Sequence, residues 1–109
     1  MGNTSAKEGV LDISDWDREI LYDILRKYPC TFYAYGSRVK GYARKYSDLD
    51  LCYFDKISSD DLMELKWALE DSDLTIKVSV APVSEFSDSF FKSIEDDLVE
   101  IDVDSFGEE

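Results

Sequence analysis

Two short stretches of the chain carry residue types whose spacing could support phosphate chemistry. Asp48 and Asp50 lie two residues apart in an apolar run that is typical of a β-strand, so both carboxylates point to the same face of that strand. Gly36-Ser37 ends an earlier apolar run, at a point where a short helix is predicted to begin. The first turn of a helix offers main-chain N–H groups that can bind a phosphate, and two carboxylates facing that turn could hold Mg²⁺ beside it. These are the parts of a nucleotide-binding site.

The charges around these two stretches are open to more than one interpretation. Aspartate is uncommon in strands, and two like charges about 6–7 Å apart on one strand face repel each other unless a cation lies between them. A metal site is therefore favoured over an ordinary solvated face. Arg38 could contact a phosphate or pair with a carboxylate. Nearby basic residues could attract an anionic substrate, or they could be solvated loop side chains: Lys40, Arg44 and Lys45.

Charge composition limits the classes of partner that the chain is expected to bind. Twelve basic residues stand against 25 acidic ones, which gives a formal net charge of −13. Proteins that bind DNA or RNA need a basic surface to displace phosphate counterions, so a long nucleic-acid substrate is not expected. The acidic surface is consistent with a basic protein partner, or with solubility alone. The chain has no histidine, which excludes imidazole catalysis and histidine-ligated zinc.

The hydrophobic pattern predicts one α/β domain over residues 1–109, with a small mixed sheet flanked by helices. At this length the chain can bury one modest core but not two. The elements are predicted in the order helix, strand, short helix, strand, helix, strand, helix. The strands are predicted at residues 30–35, 47–54 and 74–81, and the helices begin at Ser37 and after the N-cap residues Ser14, Ser58 and Ser84. Residues 1–12 and 102–109 are predicted to be flexible tails.

Nothing in the chain predicts contact with a membrane. No apolar stretch is long enough to span a bilayer, and the polar start at residues 2–5 is not typical of a signal peptide. A cytoplasmic protein is therefore expected.

The two stretches together resemble a known family. Gly36-Ser37, ten further residues and then Asp48-Leu49-Asp50 is similar to the signature of the nucleotidyltransferase superfamily of DNA polymerase β type. The finer pattern, with Gly41 between the two motifs, resembles the smallest members, the minimal nucleotidyltransferases. Many of those are antitoxins encoded beside a helical HEPN-type toxin. The resemblance implies a three-layer nucleotidyltransferase-like fold of the α/β (α+β) class.

This resemblance also implies an activity and assigns roles to residues. The reaction would be Mg²⁺-dependent transfer of a nucleoside monophosphate, AMP from ATP, to a hydroxyl of a partner protein, that is, AMPylation. Gly36, Ser37 and Arg38 would bind the nucleotide. Asp48 and Asp50 would be the catalytic and metal-binding residues. The implied partner is a HEPN-type toxin, held with this chain in a hetero-oligomer.

The sequence departs from the family pattern on the third predicted strand. Active members carry a third carboxylate there that faces the aspartate pair, whereas this chain has Ser79 at the corresponding position. A neutral hydroxyl cannot replace an anion as a base or as a ligand of a second metal ion. One alternative is therefore a catalytically impaired antitoxin that neutralises a basic partner by binding alone. Another is a transferase that acts on a small molecule without any partner.

Overall fold

The structure is a computed structural model of the chain, and it describes residues 11–41, 44 and 47–103. The α-helices and strands alternate along most of this part of the chain. The helices are α1 (Asp15–Leu25), α2 (Ser37–Lys40), α3 (Ser59–Glu70) and α4 (Asp88–Ile94), and the strands are β1 (Phe32–Tyr35), β2 (Leu49–Tyr53), β3 (Val78–Pro82) and β4 (Val99–Ile101). Short 3₁₀ turns at Val83–Glu85 and Glu95–Asp97 lie on either side of α4.

The strands form one mixed sheet in the order β3-β2-β1-β4. β1 is antiparallel to both of its neighbours, β2 and β4, whereas β2 and β3 are parallel. Parallel strands need a long crossover connection, and α3 supplies it. The predicted mixed α/β architecture is thus confirmed.

The two faces of the sheet differ in what covers them. One face packs against α1 and α3 through buried aliphatic and aromatic side chains: Leu21, Leu25, Phe32, Ala34, Leu49, Leu51, Leu65 and Leu69. The other face, here called the carboxylate face, carries the alternate residues of the strands: Tyr33, Tyr35, Asp50, Cys52, Ser79 and Ala81. α4 and the turn before it meet this second face through aromatic rings. The predicted separation of Asp50 from Leu49 and Leu51 is confirmed.

Two of the three predicted N-cap residues cap their helices in the structure. Ser14 accepts a hydrogen bond from the Asp17 amide (3.1 Å), and Ser58 caps α3 in the same way. The predicted cap at Ser84 is wrong, because the chain after β3 first makes a 3₁₀ turn that contains Ser84. Ser87 caps α4 instead and accepts a hydrogen bond from the Phe90 amide (3.1 Å).

Two strand predictions also need correction. The third strand begins at Val78 rather than at residue 74, because the Thr75 amide donates to the side chain of Asp17 (2.7 Å) and not to a neighbouring strand. The fourth strand, Val99–Ile101, was not predicted. Three residues are too few to show a clear alternation, and this strand exists only because β1 offers an edge to pair with.

The ends of the described region contact the rest of the fold. Leu11 and Asp12 lie within the predicted N-terminal tail, yet Leu11 is buried in the core and the Asp12 amide donates to the Arg38 carbonyl (2.8 Å). Residues 1–10 and 104–109, which make up most of the two predicted tails, lie outside the described residues. Among the helices that are described, none has the length and apolarity needed to cross a membrane.

Candidate active site

The bend after β1 lies directly beside a carboxylate of β2. Gly36 has φ +92° and ψ −161°, a backbone conformation that residues with a side chain rarely adopt, and it serves as the N-cap of α2. A Cβ built on Gly36 would lie 3.1 Å from Oδ2 of Asp50. The missing side chain therefore leaves room next to this carboxylate, and Ser37 follows immediately as the first residue of α2. The structure thus brings Gly36, Ser37 and Asp50 together, although they come from two separate stretches.

Asp50 is a half-buried carboxylate in an acidic environment. Burial, and then the negative charge of Asp48, raise the pKa of Asp50 above its ordinary value. Asp48 is exposed and precedes β2 by one residue. Within the part of the chain that the structure describes, neither carboxylate forms an ion pair with a lysine or an arginine. A cation bound between the two would therefore lower the electrostatic free energy of this site.

The donor set at this place fits one magnesium ion shared with a substrate. In residues 11–41, 44 and 47–103, there is no cluster of three or more carboxylate or thiol side chains that could hold a metal ion. Asp48 and Asp50 offer hard oxygen donors, and Mg²⁺ in nucleotide-binding proteins commonly takes one or two carboxylates and completes its shell with water and phosphate oxygens.

Hydroxyl-bearing residues lie on the two strands that flank Asp50. Ser79 of β3 is its Cα partner in the parallel pair, at the position predicted for the third carboxylate. Tyr35 of β1 is its partner on the other side. Burial, the charge of Asp50 and the thiol of Cys52 raise the pKa of Tyr35 to about 12, so its phenol stays protonated at neutral pH. Sequence reasoning did not single out Tyr35, because only the antiparallel register of β1 with β2 places it beside Asp50.

Arg38 is buried, and its guanidinium binds main-chain carbonyls. Its Nη1, Nη2 and Nε donate to the carbonyl oxygens of Asp12 (2.7 Å), Arg44 (3.0 Å) and Ser47 (2.9 Å). These contacts tie the segment before α1 and the segment before β2 to α2. They give Arg38 a positioning role, and they do not support the predicted contact between its side chain and a nucleotide.

The other predicted basic residues are only partly described. Lys40 forms a salt bridge with Asp97 (3.0 Å). Arg44 is exposed, and its amide donates to Oγ of Ser47 (2.8 Å). Lys45 lies outside the described residues. The proposed attraction of an anionic substrate by these residues stays a prediction.

Known proteins match this chain over most of its length. Residues 19–101 match the family described as polymerase beta, nucleotidyltransferase, a range that includes both motifs. The chain is also similar to "Probable protein adenylyltransferase MntA" of Haemophilus influenzae. The identity is 39% over 84 residues, which cover 73% of this chain and 74% of that protein.

Proposed function

The chain belongs to the polymerase beta nucleotidyltransferase family, and on that basis we propose that it transfers AMP from ATP to a hydroxyl of a partner protein. The observation that carries this proposal is the short distance between Gly36 and Asp50, since a phosphate-binding bend and a metal-binding carboxylate must share one pocket in such a reaction. The similarity to the Haemophilus influenzae protein, a probable protein adenylyltransferase, supports AMP as the transferred group and a protein as the acceptor.

Gly36 and Ser37 bind the triphosphate of ATP in this proposal. The first-turn amides of a helix have no partner within the helix, and glycine lets a phosphate approach the main chain closely. The Ser37 hydroxyl adds one more donor. α2 is fixed for this task by Arg38, whose guanidinium holds the neighbouring segments in place.

Asp48 and Asp50 would hold Mg²⁺ against the triphosphate. When bound, the ion would neutralise negative charge on the phosphates, which is its usual contribution to this type of reaction. Asp50 belongs to β2 and Asp48 precedes that strand by one residue, so the main chain of the strand sets the distance between them.

The reaction itself is a displacement at the α-phosphorus of ATP. The acceptor hydroxyl oxygen forms a new bond to that phosphorus, the bond to the oxygen that leads to the β-phosphate breaks, and pyrophosphate leaves. Such a step depends mainly on in-line positioning and neutralised charge. The proton of the acceptor hydroxyl needs a base, and Ser79 cannot serve as one. It therefore passes to water or to a basic group of the acceptor protein.

The partner in this proposal is a HEPN-type toxin, bound in a cytoplasmic hetero-oligomer. A net charge of −13 favours a basic protein surface over a long nucleic acid. The family resemblance of the two motifs is the reason for naming this class of partner.

The test uses α-³²P-labelled ATP, Mg²⁺ and the product of the neighbouring gene, which the family resemblance predicts to be a HEPN-type protein. We expect label on the partner, and we expect it to be lost in Asp48→Asn and Asp50→Asn. Asp23→Asn, an exposed aspartate of α1, is the matched control and should transfer label like the wild type. Absence of label with the wild-type chain, in the presence of a partner that binds, would refute the transfer reaction.

A second candidate function is neutralisation of the partner by binding alone. The observation that favours it is Ser79 in the position beside Asp50 where active relatives have an acid. It predicts that Asp48→Asn and Asp50→Asn still neutralise the toxin in vivo. Under the transfer proposal the same two variants lose neutralisation.

A further inference from the structure

Six aromatic side chains form a layer over the carboxylate face, in two adjacent groups of three. This layer, here called the aromatic strip, consists of Tyr33, Tyr35, Phe54, Phe86, Phe90 and Phe91. Edge-to-face contacts connect the rings within each group. In the first group Phe54 contacts Tyr33, with ring centroids 5.4 Å apart, and Phe91. In the second group Tyr35, Phe86 and Phe90 contact one another, with the Phe86 and Phe90 centroids 4.9 Å apart. The two groups are neighbours because Tyr33 and Tyr35 lie on the same face of β1 and Phe90 and Phe91 are consecutive in α4.

The outer rings of the aromatic strip face solvent. Phe54 is 53% exposed and Phe90 is 41% exposed. Exposed aromatic rings grouped on one face of a folded domain usually mark a surface that binds another molecule. The helices α1 and α3 lie on the opposite face of the sheet, so none of their side chains covers these rings.

One end of the aromatic strip reaches the candidate active site. Tyr35 belongs to the strip and is also the cross-strand neighbour of Asp50. It directly precedes Gly36, whose bend lies beside the Asp50 carboxylate. A molecule seated on the strip would therefore extend to the place where the phosphates are proposed to bind.

The surroundings of the aromatic strip are strongly acidic. The segment from residue 83 to residue 103 contains one basic residue, Lys92, and seven acidic ones: Glu85, Asp88, Glu95, Asp96, Asp97, Glu100 and Asp102. One of the seven, Asp97, is paired with Lys40. Such a border repels nucleic acids, anionic lipid surfaces and a second copy of this chain. It attracts a protein segment whose centre is apolar and whose flanks carry lysine or arginine.

From this placement we infer that the aromatic strip is the docking surface for the acceptor protein, which presents aliphatic side chains between basic ones. The inference rests on the proposed transfer to a protein hydroxyl, and it adds where the acceptor binds and what chemistry it presents. Docking here brings the acceptor hydroxyl to the Asp50 end of the strip.

The first test compares two faces of the molecule. Phe54→Ser and Phe90→Ser remove the exposed rings of the aromatic strip. Trp67→Ser and Met63→Ser are the controls, since they remove apolar side chains of α3 that are even more exposed, at 71% and 66%. Calorimetric titration with the HEPN-type partner should show binding at least tenfold weaker for each strip variant and unchanged for the α3 variants. Equal affinity in all four variants, or a loss confined to the α3 variants, would overturn the inference.

A second pair of variants tests the acidic border without removing any packed ring. Glu95→Lys and Asp96→Lys should weaken binding of the partner severalfold and reduce its dependence on salt concentration. Glu19→Lys and Glu64→Lys, which reverse exposed charges on α1 and α3, are the controls for net charge and should have a smaller effect. A smaller effect of the border variants than of these controls would contradict the proposed orientation of the partner.

Failure of docking and failure of the proposed function can be told apart by two further measurements. Binding of Mg²⁺-ATP to the chain alone should be the same in Phe90→Ser as in the wild type, because the strip is proposed to bind only the acceptor. Strip-dependent binding without transfer of label would support the docking surface and refute the transferase. Transfer with wild-type KM for the partner in Phe90→Ser would refute the docking surface and support the transferase.

Discussion

Ser79 lies opposite Asp50 in the parallel pair of β2 and β3, and both side chains are on the carboxylate face. Adjacent residues on neighbouring strands have Cβ atoms about 5 Å apart, which is close enough for two side chains to share one ligand. An acid at position 79 would therefore share the proposed metal and substrate with Asp50. The serine leaves this side of the site without a charge.

Introducing that acid should increase the transfer rate. A positioned general base contributes roughly 10²–10⁴-fold in many enzymes, so we expect Ser79→Asp to raise kcat for labelling of the partner by at least tenfold. Ser79→Asn, of the same size but without a charge, is the control and should not raise it. A kcat for Ser79→Asp equal to that of Ser79→Asn would show that the acceptor side supplies the base.

Alanine at Gly36 should damage the site, and Gly41 provides a matched control. Both glycines have a positive φ, of +92° and +90°, so alanine at Gly41 should lower the free energy of unfolding by about 1–2 kcal/mol. Alanine at Gly36 should cost more, about 1–3 kcal/mol, because its ψ of −161° lies outside the left-handed helical region. Only at Gly36 would the new Cβ also meet the Asp50 carboxylate, since nothing lies within 4 Å at Gly41. Urea denaturation identifies conditions under which both variants are folded, and binding is compared there. Calorimetry with Mg²⁺ and a non-hydrolysable ATP analogue should show at least tenfold weaker binding for Gly36→Ala and wild-type binding for Gly41→Ala. Equal affinity in the two variants would contradict a pocket shared by Gly36 and Asp50.

The sequence predicted the parts of this fold that depend on local patterns. Ser14 and Ser58 cap helices through their own neighbours three residues on, and the alternation in β2 separated Asp50 from Leu51. Two of the parts it missed, the start of β3 and the whole of β4, depend on contacts between distant residues. The start of the third strand was misplaced because Asp17, 58 residues away in sequence, binds the Thr75 amide.

The candidate site shows the same division. Gly36, Ser37 and the aspartate pair could be chosen from residue type and spacing, and the structure places Asp50 beside Gly36. The contacts of Arg38 could not be foreseen, since the carbonyl of Asp12 that it binds lies 26 residues before it. The neighbourhood of Tyr35 required the strand register. Local chemistry can be read from sequence, whereas the partner of a long side chain cannot.

Lysine should not replace Arg38. The three guanidinium nitrogens donate to three separate carbonyls, and an ammonium group on a flexible chain cannot reach all of them in that geometry. Because this leaves partly buried carbonyls without their guanidinium donors, we expect Arg38→Lys to lose about 1–3 kcal/mol of unfolding free energy in urea. Arg26→Ala, which removes an exposed arginine with a 3.7 Å contact to Asp23, should lose less than about 1 kcal/mol.

Binding measurements on the same Arg38 variant separate positioning from direct nucleotide contact. A positioning residue, once the protein is folded at low temperature, should leave the affinity for Mg²⁺-ATP within a few fold of the wild type. Wild-type stability together with a large loss of ATP affinity would instead support the predicted contact with the nucleotide.

Asp17 should stabilise the fold at neutral pH and lose this effect in acid. Burial alone would raise the pKa of Asp17, but hydrogen bonds from Thr75 and Ser14 and the charge of Arg38 lower it below 3.8. A carboxyl whose pKa is lower in the folded state stabilises the fold above its unfolded pKa, and the effect disappears as the pH falls through the folded pKa. Asp17→Asn should therefore lose about 1–3 kcal/mol at pH 7. Asp15→Asn, in the same helical turn but exposed, is the control and should change stability by less than about 0.5 kcal/mol.

The pH dependence of that difference provides the check. Denaturation of Asp17→Asn and the wild type should give converging stabilities below pH 3.8, since the wild-type carboxylate is then protonated in the unfolded chain and progressively in the folded one. A difference that stays constant between pH 3 and pH 7 would mean that the lost contacts do not depend on the charge of Asp17.

Asp50 should have the opposite effect on stability. Burial and the charge of Asp48 raise the pKa of Asp50 in the folded state, so ionisation of Asp50 destabilises the fold. This destabilisation is absent below the unfolded pKa and grows as the pH rises through the folded pKa. Asp50→Asn should therefore raise Tm by a few degrees at pH 7 in EDTA, and the gain should vanish near pH 3. Because Mg²⁺ binds the ionised carboxylates, adding it should stabilise the wild type and not Asp50→Asn. If Asp50→Asn were instead less stable than the wild type in EDTA at pH 7, the Asp50 side chain would stabilise the fold. That result would contradict the expectation that Asp50 destabilises the fold and serves the reaction.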